Sequence, residues 1–412
     1  MPPSKTLKRT FSLYSAQVAN LVLGWIAAKI NISYLTVGEF GQFNFFLTII
    51  NVLYVIFTFG VFESASREIA LTKSKAVYHE LLGVTLFFAG IIYLLFSSLF
   101  WASHWIIDDI FAVKTAELIK WLFPVAGAYV LLNMWQLSLR GAEKIYLLSW
   151  VSVSPRLVYI VILPGLIFAG SFSLLNTALA NLLSIFAVGL ALLLAERPRF
   201  NRFRQNFQRL WRSIKTFGVQ IYWSELIRVL LYHTDKLLIS YFWDADNLAY
   251  YSLAYTITFP LSFFSSALST TLYRRFSDAS KIDARFLRYN LIWIIISVSI
   301  LILLRKWIIL YLFSQAYQSS LLVFTWLALA FGVAGLTKLY SIFLTAKGAG
   351  NYIRIISIWV LAAHLALNFS LIPLWGILGA AVSALATYLL DLLLVIFYYR
   401  KYRLRSAVLE KT

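Results

Sequence analysis

The sequence predicts an all-α polytopic membrane protein, with about twelve transmembrane helices in two parallel, pseudo-symmetric six-helix bundles. Three observations predict it. Of 412 residues, 61% are hydrophobic and only 13% charged, against about 25% charged in a soluble domain. Mean hydropathy is +0.79. The apolar sequence arrives in stretches of about 20 residues, the length that crosses a bilayer as a helix. And the second half of the chain repeats features of the first at a nearly constant offset.

The apolar spans run over 10–32, 40–61, 81–101, 118–138, 147–169, 172–195, 214–242, 248–272, 287–313, 318–345, 352–373 and 375–399. Trp101, Trp105, Trp121, Trp243, Trp375, Tyr398 and Tyr399 fall at span ends, where amphipathic rings anchor at the headgroups. The N-terminal stretch MPPSKTLKRTFSLYSAQ is basic and then apolar, without a small-residue cleavage site. It reads as a retained first helix rather than a signal peptide.

Orientation follows from the basic residues. With the N-terminus inside, inside segments hold 27 Lys and Arg and outside segments hold 5. The positive-inside rule then predicts both termini in the cytoplasm and an even number of spans. The same bias accounts for the net charge of +19 without nucleic acid. Arg305 and Lys306 are the outside cations that fit least well. Arg156, Arg228, Lys236 and Lys338 fall within spans.

The longest inside loop, ERPRFNRFRQNFQRLWRSIK, divides the chain into a bundle over 1–196, a basic cytoplasmic linker over 197–215 and a second bundle over 216–412. The linker reads as a retention signal whose amphipathic pattern suits a helix lying on anionic lipid. Ser33-Tyr34 and Ser240-Tyr241 open similar segments, 207 apart. Arg67 and Arg275 are 208 apart, and Arg140-Gly-Ala and Lys347-Gly-Ala are 207 apart. Both halves start inside, so the repeat is parallel, a frame for alternating access.

Several chemistries are excluded. There is no cysteine, and the four histidines are scattered, so no local metal motif and no cofactor are expected. No G-x-x-x-x-G-K-[ST] and no H-E-x-x-H occurs. No loop can hold a catalytic domain, and Asp108-Asp109 reads as a solvated turn. An enzyme is not expected.

Charges inside a bilayer are costly and face cavities or each other. On span seven, at about 100° per residue, Glu225, Arg228, Asp235 and Lys236 fall within one arc of about 100°. The stripe covers about 16 Å of axis. It reads as lining a central cavity, and its ion pairs can also glue the bundle. Asn133, Gln136 and Arg140 share a face of span four. Lys338, His364 with Asn368, and Asp391 lie on spans ten, eleven and twelve. Taken singly, helix–helix hydrogen bonding explains each, and His364 reads first as a packed histidine. Together, Arg140, Arg156, Arg228, Lys236 and Lys338 against Glu225, Asp235 and Asp391 make a cationic set. That suits an anionic cargo such as a diphosphate.

The segments DKLLISYFWDADNLAYYSLAYTITFPL, FLTAKGAGNY and LIPLWGILGAAVSALATYL resemble Wzx-type polysaccharide flippases of the multidrug/oligosaccharidyl-lipid/polysaccharide (MOP) exporter superfamily, over nearly the whole chain. The resemblance implies a MATE-like fold in the bacterial inner membrane. It also implies flipping of undecaprenyl-diphosphate-linked oligosaccharide for O-antigen or a related surface polymer. Implied partners are the anionic lipid-linked sugar, membrane lipids, H+ or Na+ as coupling ion, and a polysaccharide polymerase and chain-length regulator. A multidrug/cation antiporter of the same superfamily would want a more acidic cavity. A polymerase or ligase would want a large outside loop.

Overall fold

The computed structural model describes residues 3–72 and 74–409, and no strand occurs among them. Lys73 and Lys411, two of the inside charges counted above, lie outside the described residues. Span one is α1 (Pro3–Tyr34) and span two is α2 (Val37–Thr58), followed by the short α3 (Val61–Ala70). α4 (Lys75–Ser103) is span three, and α5 (Ile107–Ile110) is a single turn. α6 (Ala116–Ala126) and α7 (Ala128–Gly141) together make span four, bent by 42°. Pro124 lies in the last turn before the bend and lacks an N–H. The Tyr93 hydroxyl donates to its carbonyl. α8 (Ile145–Phe168) and α9 (Leu174–Glu196) are spans five and six.

The linker forms α10 (Phe203–Ser213), which runs through a π-turn, Ile214–Gly218, into span seven, α11 (Val219–Phe242). Span eight is α12 (Ala245–Thr258) and α13 (Phe263–Asp278), joined by a 3-10 turn at Pro260. α14 (Ala284–Lys306) with the π-turn Trp307–Phe313 is span nine, and α15 (Ser320–Ala346) is span ten. α16 (Gly350–Leu409) holds spans eleven and twelve. Seven of these helices are long and apolar enough to cross a bilayer unbroken, and the bent α6–α7 pair adds an eighth crossing. α1, α11 and α12–α13 are more polar or broken, and α16 is long enough to cross twice.

The chain divides into two compact units, Met1–His233 and Thr234–Thr412. The division falls inside α11, not in the linker at 197–215, because α10 and the first turns of α11 pack within the first unit. Phe207 stacks on Phe88 of α4 with centroids 5.2 Å apart. Asn206 Nδ2 donates to Glu80 Oε2 at 3.0 Å, Arg209 Nε donates to Glu68 Oε2 at 2.7 Å, and the Tyr222 hydroxyl donates to the Ile56 carbonyl at 2.7 Å. The linker helix is therefore docked on α3 and α4. Its pattern looks like that of an interfacial helix because aromatic contacts to α4 use the same apolar stripe that lipid would.

The repeat is visible in the helix starts. Thr36 caps α2 by accepting from the Glu39 N–H at 3.2 Å. Asp244 caps α12 by accepting from the Asn247 N–H at 2.8 Å. Cap and capped residue recur 208 positions on. Each satisfies an orphan N–H of a first turn, so each half fixes the start of its second span by the same device.

In the second unit, α16 is interrupted at Gly376, with φ 56° and ψ −134°, a conformation essentially restricted to glycine. The segments 350–375 and 377–409 fold back on each other there. Leu371 and Gly379 meet across the turn, and the Trp243 indole covers Gly376 while its Nε1 donates to the Ile372 carbonyl at 2.9 Å. Pro373 withholds an N–H just before the turn. This hairpin places His364 opposite Thr387.

Candidate functional site

The embedded charges divide between the two units. In the first unit, Glu225 and Arg228 pair one turn apart on α11, with Arg228 Nε donating to Glu225 Oε2 at 2.8 Å. The Arg228 side chain is 54% exposed and that of Glu225 31%, so the pair is open rather than sealed. Tyr54 of α2 and Glu63 of α3 both feel the charges of Glu225 and Arg228, and Glu63 also feels Arg140 of α7. Glu63 is the member that sequence reading missed. It lies just beyond the span at 40–61 and looks like a boundary residue, although Arg67 four positions on marks a helix face there. With Glu63 included, the margin of embedded cations over carboxylates narrows from two to one.

Arg156 of α8 lies against α1. Its Nη1 donates to the Asn20 carbonyl at 2.5 Å. The guanidinium passes so close to Gly24 that a Cβ there would come within 2.8 Å of Nη1. Glycine at this position lets a bulky cation lie on the helix surface. Arg156 is exposed and has no carboxylate partner among the described residues. Tyr129 of α7 shares its surroundings. Asn133 and Gln136 are half-buried on α7, and the Asn133 Oδ1 is buried without a hydrogen-bond partner.

In the second unit the centre is Asp235, whose side chain is 5% exposed, as is that of His364. Asp235 therefore does not continue the exposed face of Glu225 and Arg228. The chain crosses from one unit to the other between them. Asp235 Oδ2 accepts from the Tyr251 hydroxyl of α12. Its Oδ1 lies 3.1 Å from His364 Nε2. A carboxylate only accepts, so Nε2 carries the proton in this contact. Nδ1 then faces the Thr387 hydroxyl at 3.3 Å. A hydroxyl both donates and accepts, so Thr387 can serve neutral and protonated imidazole alike by rotating. The Asn368 amide meets Nε2 at 3.0 Å, while its Oδ1 is buried and unpartnered.

Lys236 is half-buried, with Nζ 5.0 Å from the centre of the Tyr255 ring, a cation–π contact. Lys338 of α15 lies in electrostatic reach of Asp391 on the second limb of α16. Glu63 thus lies within electrostatic reach of Glu225, Arg228 and Arg140, Asp235 meets His364, and Lys338 lies within electrostatic reach of Asp391. Arg156, Asn133 and Gln136 stand apart from those pairs. Tyr251 and Thr387 are partners that spacing could not reveal, since neither is charged and both lie in ordinary apolar spans.

A family model described as "Polysaccharide biosynthesis protein" matches residues 6–280. A Shigella flexneri protein named "Putative O-antigen transporter" is 24% identical over 369 residues, covering 84% of this chain and 86% of its own. Among solved structures, the lipid II flippase MurJ in an inward closed conformation superposes with a TM-score of 0.74 at 13% identity, covering 96% of this chain and 91% of its own. An inward-facing multidrug resistance MATE family transporter of the MOP superfamily gives 0.71 at 18% identity, covering 98% and 99%. At these identities the two solved structures speak to the fold alone, and that fold is the MATE-like one expected.

Proposed function

The chain belongs to the polysaccharide biosynthesis protein family, and from that premise we propose that it flips undecaprenyl-diphosphate-linked oligosaccharide repeat units from the cytoplasmic to the outer leaflet of a bacterial inner membrane. The mode is alternating access between the two six-span halves, and the product feeds O-antigen or a related surface polysaccharide. It acts as a carrier and not as an enzyme. The "O-antigen transporter" name of the Shigella flexneri relative supports this reading.

The observation that carries the cargo assignment is Arg156. It is a fixed cation in the middle of a spanning helix, exposed and unneutralised by any described carboxylate. Such a charge costs about 2.5–3.5 kcal/mol to insert, and an anionic ligand that visits it gives a reason to keep it. Arg140 and Arg228 extend the cationic character within the same unit. The planar guanidinium fork can donate two parallel N–H bonds to two oxygens of one phosphoryl group. Outward export of a diphosphate with about two negative charges also runs downhill, by about 4.6 kcal/mol per 100 mV with the cell interior negative.

The Asp235–His364 pair is where a coupling cation, H+ or Na+, would act. It is sealed, it ties α11 to α16, and its Thr387 partner tolerates both imidazole charge states. Lys236, Lys338 and Asp391 flank it on the same unit.

The test is reconstitution into vesicles with an isoprenyl-diphosphate-linked oligosaccharide, scored by accessibility to an impermeant glycosidase. Protein-dependent movement of the lipid-linked sugar, reduced by Arg156→Gln, is expected. Movement of a lipophilic drug cation in its place would favour the antiporter reading.

A further inference from the structure

A second cationic feature lies away from the spans, at the basic end of the second unit. The loop after α13, the start of α14 and the last turns of the described part of α16 enclose a cavity of about 590 Å³, within the size range of ligand pockets. Arg275, Lys281 and Arg403 contribute to its walls, and all three are exposed. Its floor is rigid. Phe276, Ile282 and Tyr399 belong to one buried apolar cluster, and the Ile282 N–H donates to the Tyr399 hydroxyl at 3.1 Å, fixing the loop to α16. Two of the cations are held by rings: Arg275 lies 5.0 Å from the Phe286 centroid and Arg403 lies 5.8 Å from that of Tyr399.

Among the described residues the one carboxylate in the wall, Asp283, is already satisfied. Asp283 accepts from Arg285 Nη2 at 2.8 Å and caps α14 through the Arg285 N–H at 2.9 Å. Those hydrogen bonds hold its carboxyl down at about 2, with the charge of Arg275 adding to the effect. Arg275, Lys281 and Arg403 therefore remain available to an anion. Beyond the cavity α14 turns apolar and is buried only along Asn290, Ile294 and Val298. Its other faces expose Leu291, Ile292, Ile295 and Ile296, a surface for acyl or isoprenyl chains next to a cationic cup.

We propose that this cup binds the phosphoryl group of an anionic lipid, with Arg275, Lys281 and Arg403 as its ligands and the lipid tail lying along α14. A bilayer phospholipid and an isoprenyl diphosphate share this chemistry. The site does not depend on the cargo reading, because phospholipid binding alone satisfies it. If an isoprenyl diphosphate is the better ligand, the cup is a loading site for the cargo proposed above.

The experiment is native mass spectrometry of the purified full chain, titrated with phosphatidylglycerol, with phosphatidylcholine and with isoprenyl diphosphate. Retained adducts of one or both anionic lipids are expected, with phosphatidylcholine displaced. Each of Lys281→Gln and Arg403→Gln should weaken retention by about tenfold, as loss of a charge-assisted contact does. The triple variant R275Q/K281Q/R403Q should abolish it. A control with equal charge loss, R202Q/R204Q/R212Q at the start of α10 and within it, should retain the wild-type adduct. Competition between the two anionic lipids identifies the source. Equal weakening by both triple variants, or no preference for anionic lipid over phosphatidylcholine, would overturn the proposal. The single variants keep the test decisive should the triple variant fail to fold.

Discussion

Asp235 Oδ1 and His364 Nε2 meet at 3.1 Å, joining span seven to span eleven across 129 residues of chain. Both side chains are about 95% buried. Removing one partner leaves the other in a low-dielectric interior. We expect His364→Ala to destabilise the protein by about 3–5 kcal/mol if the pair is ionic. Asp235→Asn, which can still accept from Tyr251, should cost less, about 1–3 kcal/mol. Thermal unfolding in detergent measures both. A coupling role makes a second demand. An amide cannot take up or release a proton, so Asp235→Asn should flatten the dependence of transport on pH. If the variant loses stability but keeps the wild-type pH profile, the pair is glue only.

Gly376 gives a purely conformational test. At φ 56° and ψ −134°, with Trp243 atoms 3.1 Å from where a Cβ would sit, Gly376→Ala should lose about 1–3 kcal/mol. Gly165, within α8 and with nothing within 4 Å of a built Cβ, is the control. Gly165→Ala should leave the unfolding midpoint unchanged or raise it, as alanine favours helix. Equal losses at both positions would contradict the hairpin geometry.

The spans were legible because a bilayer imposes one strong rule, about 20 apolar residues at a time, and α2, α4, α8, α9 and α15 obey it without interruption. The break between spans eleven and twelve was legible as apolar runs that end at 373 and resume at 375, but the backbone turn at Gly376 was not. The site was legible only as an inventory. A helical wheel puts Glu225 and Asp235 on one arc, but burial depends on what packs against each end of α11. There the first turns lie on α2 and α3, while the last face α12 and α16. Glu63 escaped notice because a carboxylate at a span end looks solvated. Tyr251 and Thr387 escaped because hydrogen-bonding partners 16 positions from Asp235 and 23 positions from His364 leave no local pattern.

The charge bias of 27 against 5 predicts both ends of the chain in the cytoplasm. Reporter fusions at Arg204 in α10 and after Arg403 in α16 should both read inside. The docking of α10 on α3 and α4 puts the first fusion on a fixed surface, so its reading is unambiguous. An outside reading at either position would refute this topology and the parallel repeat with it.

The last prediction concerns Glu225 and Arg228, where exposure decides between two costs. A dry pair that loses one member costs about 3–5 kcal/mol, whereas a solvated i,i+3 pair is worth less than about 1 kcal/mol. With Arg228 54% and Glu225 31% exposed, the second regime applies. Glu225→Gln should shift the unfolding midpoint little, and Arg228→Ala should leave the protein inserted and expressed. The functional cost should be larger than the structural one. Arg228→Ala should lower export of the lipid-linked glycan in a deletion strain. Arg228→Lys should restore most of it if charge alone matters, and little if a bidentate guanidinium–phosphate contact matters. Glycan accumulation on the lipid carrier reads both variants. Wild-type export by Arg228→Ala would remove this pair from the cargo path and leave Arg156 and Arg140 as its cations.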